Sequence, residues 1–280
     1  IVHRANIAQK ALQSYHSIFE NSVTFGLYSG KTMESEKDYV FSTIQTLSRE
    51  EHLTKFSPDS FDYIVIDETH RASASSYQKI LNYFNPKFLL GMTATPERTD
   101  ANDVFEIFDY NIAYEIRLQK ALEMNILAPF HYYGVTDLSI DGESVDDTSM
   151  LNLLISEERV KHILGHIERY GCDNGEVRGL IFCSNIKECK TLADVFNTLG
   201  LRSVALTGEN SEEQRDQAIQ RLESDDPLTK IDYIFSVSIF NEGIDIPCVN
   251  QIVMLRPTES AIIFVQQLGR GWRKAKDKEY

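Results

Sequence analysis

Tyr63-Ile-Val-Ile-Asp-Glu-Thr-His70 is the stretch on which the reading of this 280-residue chain turns. An apolar run that ends in two adjacent carboxylates predicts a buried parallel strand delivering charge at its C-terminal edge. Open α/β sheets bind their ligands at such edges. A carboxylate there can hold Mg²⁺ while its neighbour orients or deprotonates an attacking water, and phosphoryl transfer needs both jobs done side by side. Asp67 is then the candidate for the metal and Glu68 for the water. A strand followed by an acidic turn would give the same eight residues, so the remainder of the chain has to decide.

The composition, 42% hydrophobic and 25% charged, is that of an ordinary globular protein with room for about two domains. No apolar run approaches the roughly 20 residues of a membrane span, and no basic-then-apolar leader is visible. The expectation is a cytoplasmic protein with no membrane association. Cys172, Cys183, Cys189 and Cys248 form no C-x-x-C pair, which reads as reduced thiols without a metal or redox role. A net charge of −14 argues against a basic nucleic-acid-binding module. It leaves room for contacts from backbone amides, hydroxyls and helix N-termini to phosphates.

Outward from the central stretch, apolar spacing predicts a helix over 6–19, strands over 23–27 and 39–44, and a further strand in Lys87-Phe-Leu-Leu-Gly-Met-Thr-Ala-Thr-Pro96 that ends in hydroxyls. A helix is predicted over 117–125, and another from Leu151 to Tyr170. A second alternation follows, with strands at 179–183, 203–206, 233–237 and 252–255 and helices at about 187–199, 211–223 and 259–268. This is the rhythm of a parallel sheet. The expected fold is α/β, two tandem parallel-sheet lobes over 1–127 and 151–280, with the Gly-containing, acidic segment 128–150 as connector. Ser29-Gly-Lys-Thr32 invites reading as a phosphate loop. Phe25 stands where that pattern needs glycine, however, and the segment leaves no room for the required helix, so a polar turn is expected.

The order of segments resembles the two-lobed RecA-like motor core of superfamily-two helicases of the DEAD/DEAH class, in particular the branch containing type III restriction subunits and related DNA helicases. Asp67-Glu-Thr-His70 looks like motif II, and Thr93-Ala-Thr95 like motif III, which in the family couples hydrolysis to movement. Val2-His-Arg4 with Gln9 resembles motif Ia, and Thr43-Ile-Gln-Thr46 motif Ib. In the second half Ile181-Phe-Cys-Ser-Asn185 is similar to motif IV, Thr207-Gly-Glu with Arg215 to a nucleic-acid-contacting segment, and Asn241-Glu-Gly-Ile-Asp-Ile-Pro247 to motif V. Gln266-Gln-Leu-Gly-Arg-Gly-Trp-Arg273 matches the motif VI pattern Q-x-x-G-R-x-x-R. Read as one helix, this last segment carries Gln266, Gly269, Arg270 and Arg273 on a shared face, and two guanidiniums so displayed suit a triphosphate.

The resemblance implies an ATP- and Mg²⁺-dependent helicase or translocase acting on nucleic acid, DNA rather than RNA, with ATP hydrolysed between the lobes. It gives Asp67 to Mg²⁺ with Glu68 nearby, Glu68 to the water, Arg270, Arg273 and Gln266 to the reaction, and Gly243 and Asp245 to the nucleotide. His70 is expected to connect the lobes at the nucleotide site rather than bind metal. Arg4, Gln9, Thr43, Gln45, Thr207, Gly208 and Arg215 fall to nucleic acid, and Thr93 and Thr95 to coupling. The chain departs from the pattern in two ways. The P-loop and adenine-sensing segment that precede motif Ia in the family are not among these residues, so the chain reads as a fragment, inactive alone. Ser238 also stands where the branch is often acidic. An attached or associated nuclease stays open, as does a non-hydrolysing two-lobed scaffold that binds nucleic acid or protein.

Overall fold

The computed structural model describes residues 1–19, 22–72, 74–94, 104–140, 143–144, 154–237, 246–256, 261–275 and 278. The chain forms two compact units, Ile1–Glu115 and Ile116–Tyr280, each a mixed α/β structure with parallel strands.

In the first unit the elements run α1 (Ala5–Phe19), β1 (Phe25–Ser29), β2 (Thr32–Met33), β3 (Tyr39–Ser42), α2 (Ile44–Leu47), α3 (Glu50–Leu53), β4 (Tyr63–Asp67), α4 (Ser75–Tyr83) and β5 (Phe88–Met92). β1 pairs with β3, and β4 with β5, in parallel. Ile1–Val2 joins the two pairs. Val2 N donates to Ser42 O at 3.0 Å and Ile44 N to Val2 O at 2.8 Å, while Asp67 N donates to Ile1 O at 3.0 Å. Alternation then sorts the side chains. Tyr28, Ile64 and Ile66 enter a core with Tyr77, Ile80 and Phe84 from α4. Phe25, Tyr39 and Phe41 lie on the opposite face, against Tyr15 and Phe19 of α1. The apolar spacing Tyr77, Ile80, Leu81, Phe84 is a helical stripe that the reading above did not use. Ser29-Gly-Lys-Thr32 is the tight turn between antiparallel β1 and β2, with Ser29 opposite Thr32 and Gly30 at φ 63°. Glycine first in a two-residue hairpin turn meets that requirement.

The second unit contains α5 (Leu118–Glu123), a hairpin of β6 (Ser139–Ile140) and β7 (Glu143–Ser144), α6 (Glu157–Tyr170), β8 (Gly179–Phe182), α7 (Ile186–Thr198), β9 (Ser203–Leu206), α8 (Glu212–Glu223), β10 (Tyr233–Ser236), β11 (Gln251–Met254) and α9 (Ala261–Leu268). Its four strands are all parallel in the order β11-β8-β10-β9. β8 and β10 are buried at every position, as central parallel strands covered on both faces must be. Leu180, Phe182 and Ile234 meet Ala218 and Leu222 of α8 on one face. Ile181, Tyr233 and Phe235 meet α6 and α7 on the other.

The boundary between the units falls after Glu115 rather than near Leu127. Part of the segment expected to be a free connector, 141–142 and 145–150, is outside the described residues, and its described first part makes contacts with the second unit. Ala128 N donates to Trp272 O at 2.8 Å, Phe130 stacks on Trp272, and Tyr133 stacks on Tyr170 with centroids 3.9 Å apart. Stacking partners its aromatic rings although Tyr132 and Tyr133 stay largely exposed.

Arg159 closes this arrangement. Its side chain is fully buried and bonds Glu188 Oε1 at 2.8 Å, Leu154 O at 2.8 Å, Asp137 Oδ2 at 2.9 and 3.0 Å, and Leu255 O at 3.2 Å. Burial opposes the guanidinium's charge, but the two carboxylates more than restore it, and the pKa rises. Glu188 is also fully buried, and its other oxygen accepts from Ser184 N at 2.7 Å. Arg159→Ala is therefore expected to lower the second unit's stability by about 3–5 kcal/mol, because it strands a buried carboxylate. Thermal unfolding of the variant checks this, and a loss under 1 kcal/mol would contradict it.

Candidate functional site

The two carboxylates sit where a parallel strand ends. Ile64 and Ile66 turn into the core, and alternation leaves Asp67 half-buried on the opposite face. Its Oδ1 accepts from Glu68 N at 3.0 Å. Glu68 is left-handed, φ 53° and ψ 47°, a conformation that costs a residue with a Cβ of order 1 kcal/mol or more and collects at functional positions. The turn keeps the two carboxylates close enough for the charge of Glu68 to act on Asp67.

The loop is fastened to the neighbouring strand. Thr69 Oγ1 donates to Met92 O at 3.1 Å, and His70 Nδ1 shares a 3.2 Å hydrogen bond with Thr93 Oγ1. The same His70 nitrogen lies 3.2 Å from Glu68 Oε2. That contact has ion-pair distance without hydrogen-bond alignment, so the buried oxygen keeps acceptor capacity for a water. Close packing at Gly91 permits the fastening. A Cβ there would stand 2.4 Å from a Phe108 ring carbon and 2.8 Å from the Thr69 methyl carbon. Thr69 and Gly91 were not singled out from sequence, although each lies inside or beside a motif that was.

Other candidates are spread over both units. In the first, Gln9 and Gln45 are exposed and Arg4 is partly buried at the start of α1. Thr43 is buried, and its hydroxyl is used inside the fold, against Ser29 Oγ at 3.3 Å and Thr46 Oγ1 at 2.9 Å. The accessible polar group of that segment is Gln45. In the second unit Arg215 Nη2 reaches Thr207 O at 3.4 Å and Gly208 O at 3.3 Å, bracing the loop after β9. Gln266 lies on α9, but the helix ends at Leu268. Gly269, Arg270 and Arg273 follow it in a turn in which Arg270 N bonds Gln267 O and Gly271 N bonds Leu268 O. The expectation of one continuous helix is thus corrected, since two glycines within three residues favour a break. Thr95, Ser238, Gly243 and Asp245 lie outside the described residues.

Two family models match the chain, "Type III restriction enzyme, res subunit" over residues 1–98 and "Helicase conserved C-terminal domain" over residues 158–275. The chain belongs to the superfamily-two helicases, on the branch that resembles restriction subunits. All of it aligns, at 25% identity, with 42% of a Saccharomyces cerevisiae protein named as an ATP-dependent helicase, IRC3. The fold of a fragment of an HsdR subunit of a type I restriction enzyme from Vibrio vulnificus matches 93% of this chain and 48% of that one, at TM-score 0.69 and 21% identity. The ATP-dependent Type ISP restriction-modification enzyme LlaBIII, bound to DNA, matches 98% of this chain and 20% of its own, at TM-score 0.60 and 22% identity. This helicase core therefore spans less than half the length of the relatives it resembles.

Among the described residues no group of three or more His, Cys, Asp or Glu could hold a metal alone. A family Mg²⁺ held by one carboxylate, waters and substrate phosphates needs no such group. Asp67 fits that part, and its electrostatics reflect it. Burial first, and then the charge of Glu68, push its pKa above the ordinary carboxylate value. The folded state then binds more protons than the unfolded state between about 3.9 and the raised value, so stability falls as pH rises through that window. Charged Asp67 costs stability at neutral pH. Asp67→Asn is expected to raise the first unit's thermal midpoint at pH 7, with the gain shrinking below pH about 4. Calorimetry at the two pH values checks it, and a lowered midpoint at pH 7 would refute the electrostatic account.

Proposed function

We propose that the full-length protein is an ATP-driven helicase or translocase that moves along DNA in preference to RNA, hydrolysing ATP between its two lobes. The observation that carries this reading is the arrangement of Asp67 and Glu68. Two carboxylates share one strand end, the second in a strained turn, and Thr69 and His70 tie that turn to the strand leading into Thr93. Asp67 would hold Mg²⁺, which draws the phosphate oxygens together and neutralises their charge. Glu68 Oε2 would accept the proton of the attacking water. His70 lies against Glu68 and Thr93, so a change at the nucleotide would be felt at the end of β5. Arg270 and Arg273 would stabilise the charge that develops in transfer, with Gln266, Gly243 and Asp245 beside the nucleotide. Arg4, Gln9, Gln45, Gly208 and Arg215 would line the nucleic acid, with the buried Thr43 and Thr207 bracing their segments from inside. DNA is favoured because the family model over residues 1–98 is that of a restriction enzyme subunit and LlaBIII, of related fold, is bound to DNA, while Dbp5, also of related fold, is bound to RNA. A restriction-type relationship also makes an attached or associated nuclease part of the proposal.

In the full-length protein Glu68→Gln should leave ATP binding nearly intact and lower turnover by about 10²–10⁴, the usual worth of general base catalysis. The amide keeps the shape but cannot take the water's proton. Radiolabelled ATP hydrolysis together with nucleotide titration tests this, and wild-type turnover in the variant would reduce Glu68 to a structural role. Residues 1–280 alone should neither bind ATP tightly nor hydrolyse it, since Ser29-Gly-Lys-Thr32 is a hairpin turn and no G-x-x-x-x-G-K-[ST] pattern occurs in them. Micromolar binding of a non-hydrolysable analogue in a calorimeter would contradict that and would return attention to Lys31.

A further inference from the structure

At the C-terminal edge of the second unit's sheet, one face carries polar atoms that the fold leaves unused. β8, β10 and β11 are in register, with Phe182 opposite both Ser236 and Met254. Phe182, Ile234 and Met254 belong to the core under α8. The two-residue alternation therefore puts Ser236 on that face and, one step beyond Phe182 and Met254, Ser184 and Arg256. The ladder continues to this level, with Cys183 N on Ser236 O at 2.8 Å and Leu255 N on Phe182 O at 2.9 Å.

Among the described residues, Ser184 Oγ, Ser236 Oγ and Arg256 Nε are all buried without a hydrogen-bond partner. Ser236 is 1% exposed. Burial pulls the pKa of Arg256 down, and no carboxylate among the described residues pulls it back. This contrasts with Arg159, buried in the same unit with two carboxylates. Among the described residues this half-buried guanidinium has no counter-charge, and it shares a face of the sheet edge with two hydroxyls that have no partner, an arrangement that is costly unless a ligand completes it. Donors of this kind fit an anion with several oxygens, and the arginine fork matches phosphate. Arg215 extends the row. It lies on α8, its Nη2 braces the Thr207–Gly208 carbonyls, and its Nε is likewise buried without a partner. In the strand order β11-β8-β10-β9, Arg256 and Thr207 end the outer strands, about 14 Å apart at the usual strand spacing. That distance exceeds the spacing of successive phosphates along a strand.

We propose that Arg256, with Ser184 and Ser236, forms a site for an internucleotide phosphate of the bound nucleic acid, continuing the track that begins at Thr207, Gly208 and Arg215. The inference rests on the nucleic-acid reading above and adds to it a residue outside every motif. Arg256 places the backbone and reads no base, so its contribution is independent of sequence and dependent on salt.

The test uses the full-length protein and fluorescein-labelled oligo(dT), with anisotropy titrations over a range of salt concentrations. Arg256→Gln should bind roughly tenfold more weakly. It should also flatten the slope of log K against log salt by about 0.7, one phosphate contact on a single strand. Its thermal midpoint should equal or exceed that of the wild type, since an uncompensated charge has been removed. Arg256→Lys should keep the slope while losing part of the affinity, and affinity for a non-hydrolysable ATP analogue should not change in either variant. Wild-type affinity and slope in Arg256→Gln would overturn the inference and leave the motor reading intact. Weaker DNA binding with an unchanged slope and a lowered midpoint would overturn it in favour of a structural role. Loss of nucleotide affinity alone would assign the phosphate to ATP and overturn it too. A wild-type protein that hydrolyses ATP but shows no salt-dependent binding of DNA would remove both the inference and the nucleic-acid reading.

Discussion

Asp67 N donates to Ile1 O, and the geometry of the first unit follows from that bond and its neighbours. Without Ile1–Val2 between them, β1–β3 and β4–β5 would be two separate parallel pairs, each too small to hold a core by itself. With it they form one sheet, Tyr28 and Ile66 share a core, and the chain enters α1 immediately beyond. The end of β4 is then fixed on both sides, by Ile1 and by β5. A general base needs such support, because a displacement of an ångström costs orders of magnitude in rate.

The second unit solves a similar problem with charge. Arg159 ties the segment before α6, the first turn of α7 and the end of β11 to one guanidinium. A buried ion pair adds little to net stability over a well-packed apolar alternative. Its five contacts do fix direction, which dispersion among Leu and Ile cannot. Glu188 holds Ser184 N with its other oxygen, and Asn185 caps α7 by accepting from Glu188 N at 2.9 Å. The loop after β8 is thus held rigid at the sheet edge.

Strands and long helices were legible because their periodicity is strong. Ser203–Leu206 matches to the residue and most other expected strands to within about two, while the two-residue strands β2, β6 and β7 are too short to register. α4 was overlooked although its stripe was present, and α2 and α3, at four residues each, are too short for a period to register. The motif VI helix was drawn too long, because identity spacing was allowed to override two glycines. Of the site, Asp67, Glu68, His70 and Thr93 could be named because adjacent polar residues at a strand end stand out. Their connections could not. That Thr69 reaches Met92, that Gly91 must lack a side chain, and that Arg159 needs Asp137 and Glu188 all depend on contacts across 17 or more residues, which no local pattern encodes.

Consistency between local preference and fold is what makes a chain adopt one structure, and the places where it fails are therefore informative. Among the described residues that depart from local preference, three belong to the candidate sites. Glu68 is a left-handed residue with a Cβ, Asp67 a carboxylate whose charge the fold disfavours, and Arg256 a half-buried cation without a counter-charge. None packs a core or caps a helix, so folding alone gives no reason for them. All three stand at or just past the C-terminal ends of parallel strands, in both units, while the N-terminal ends of the same strands carry none. Bound metal and phosphate would reverse each electrostatic cost, satisfying Asp67 with a cation and Arg256 with an anion. Strain that a ligand relieves makes the ligand-bound state the better-packed one, and that difference between states is what a nucleotide-driven motor requires.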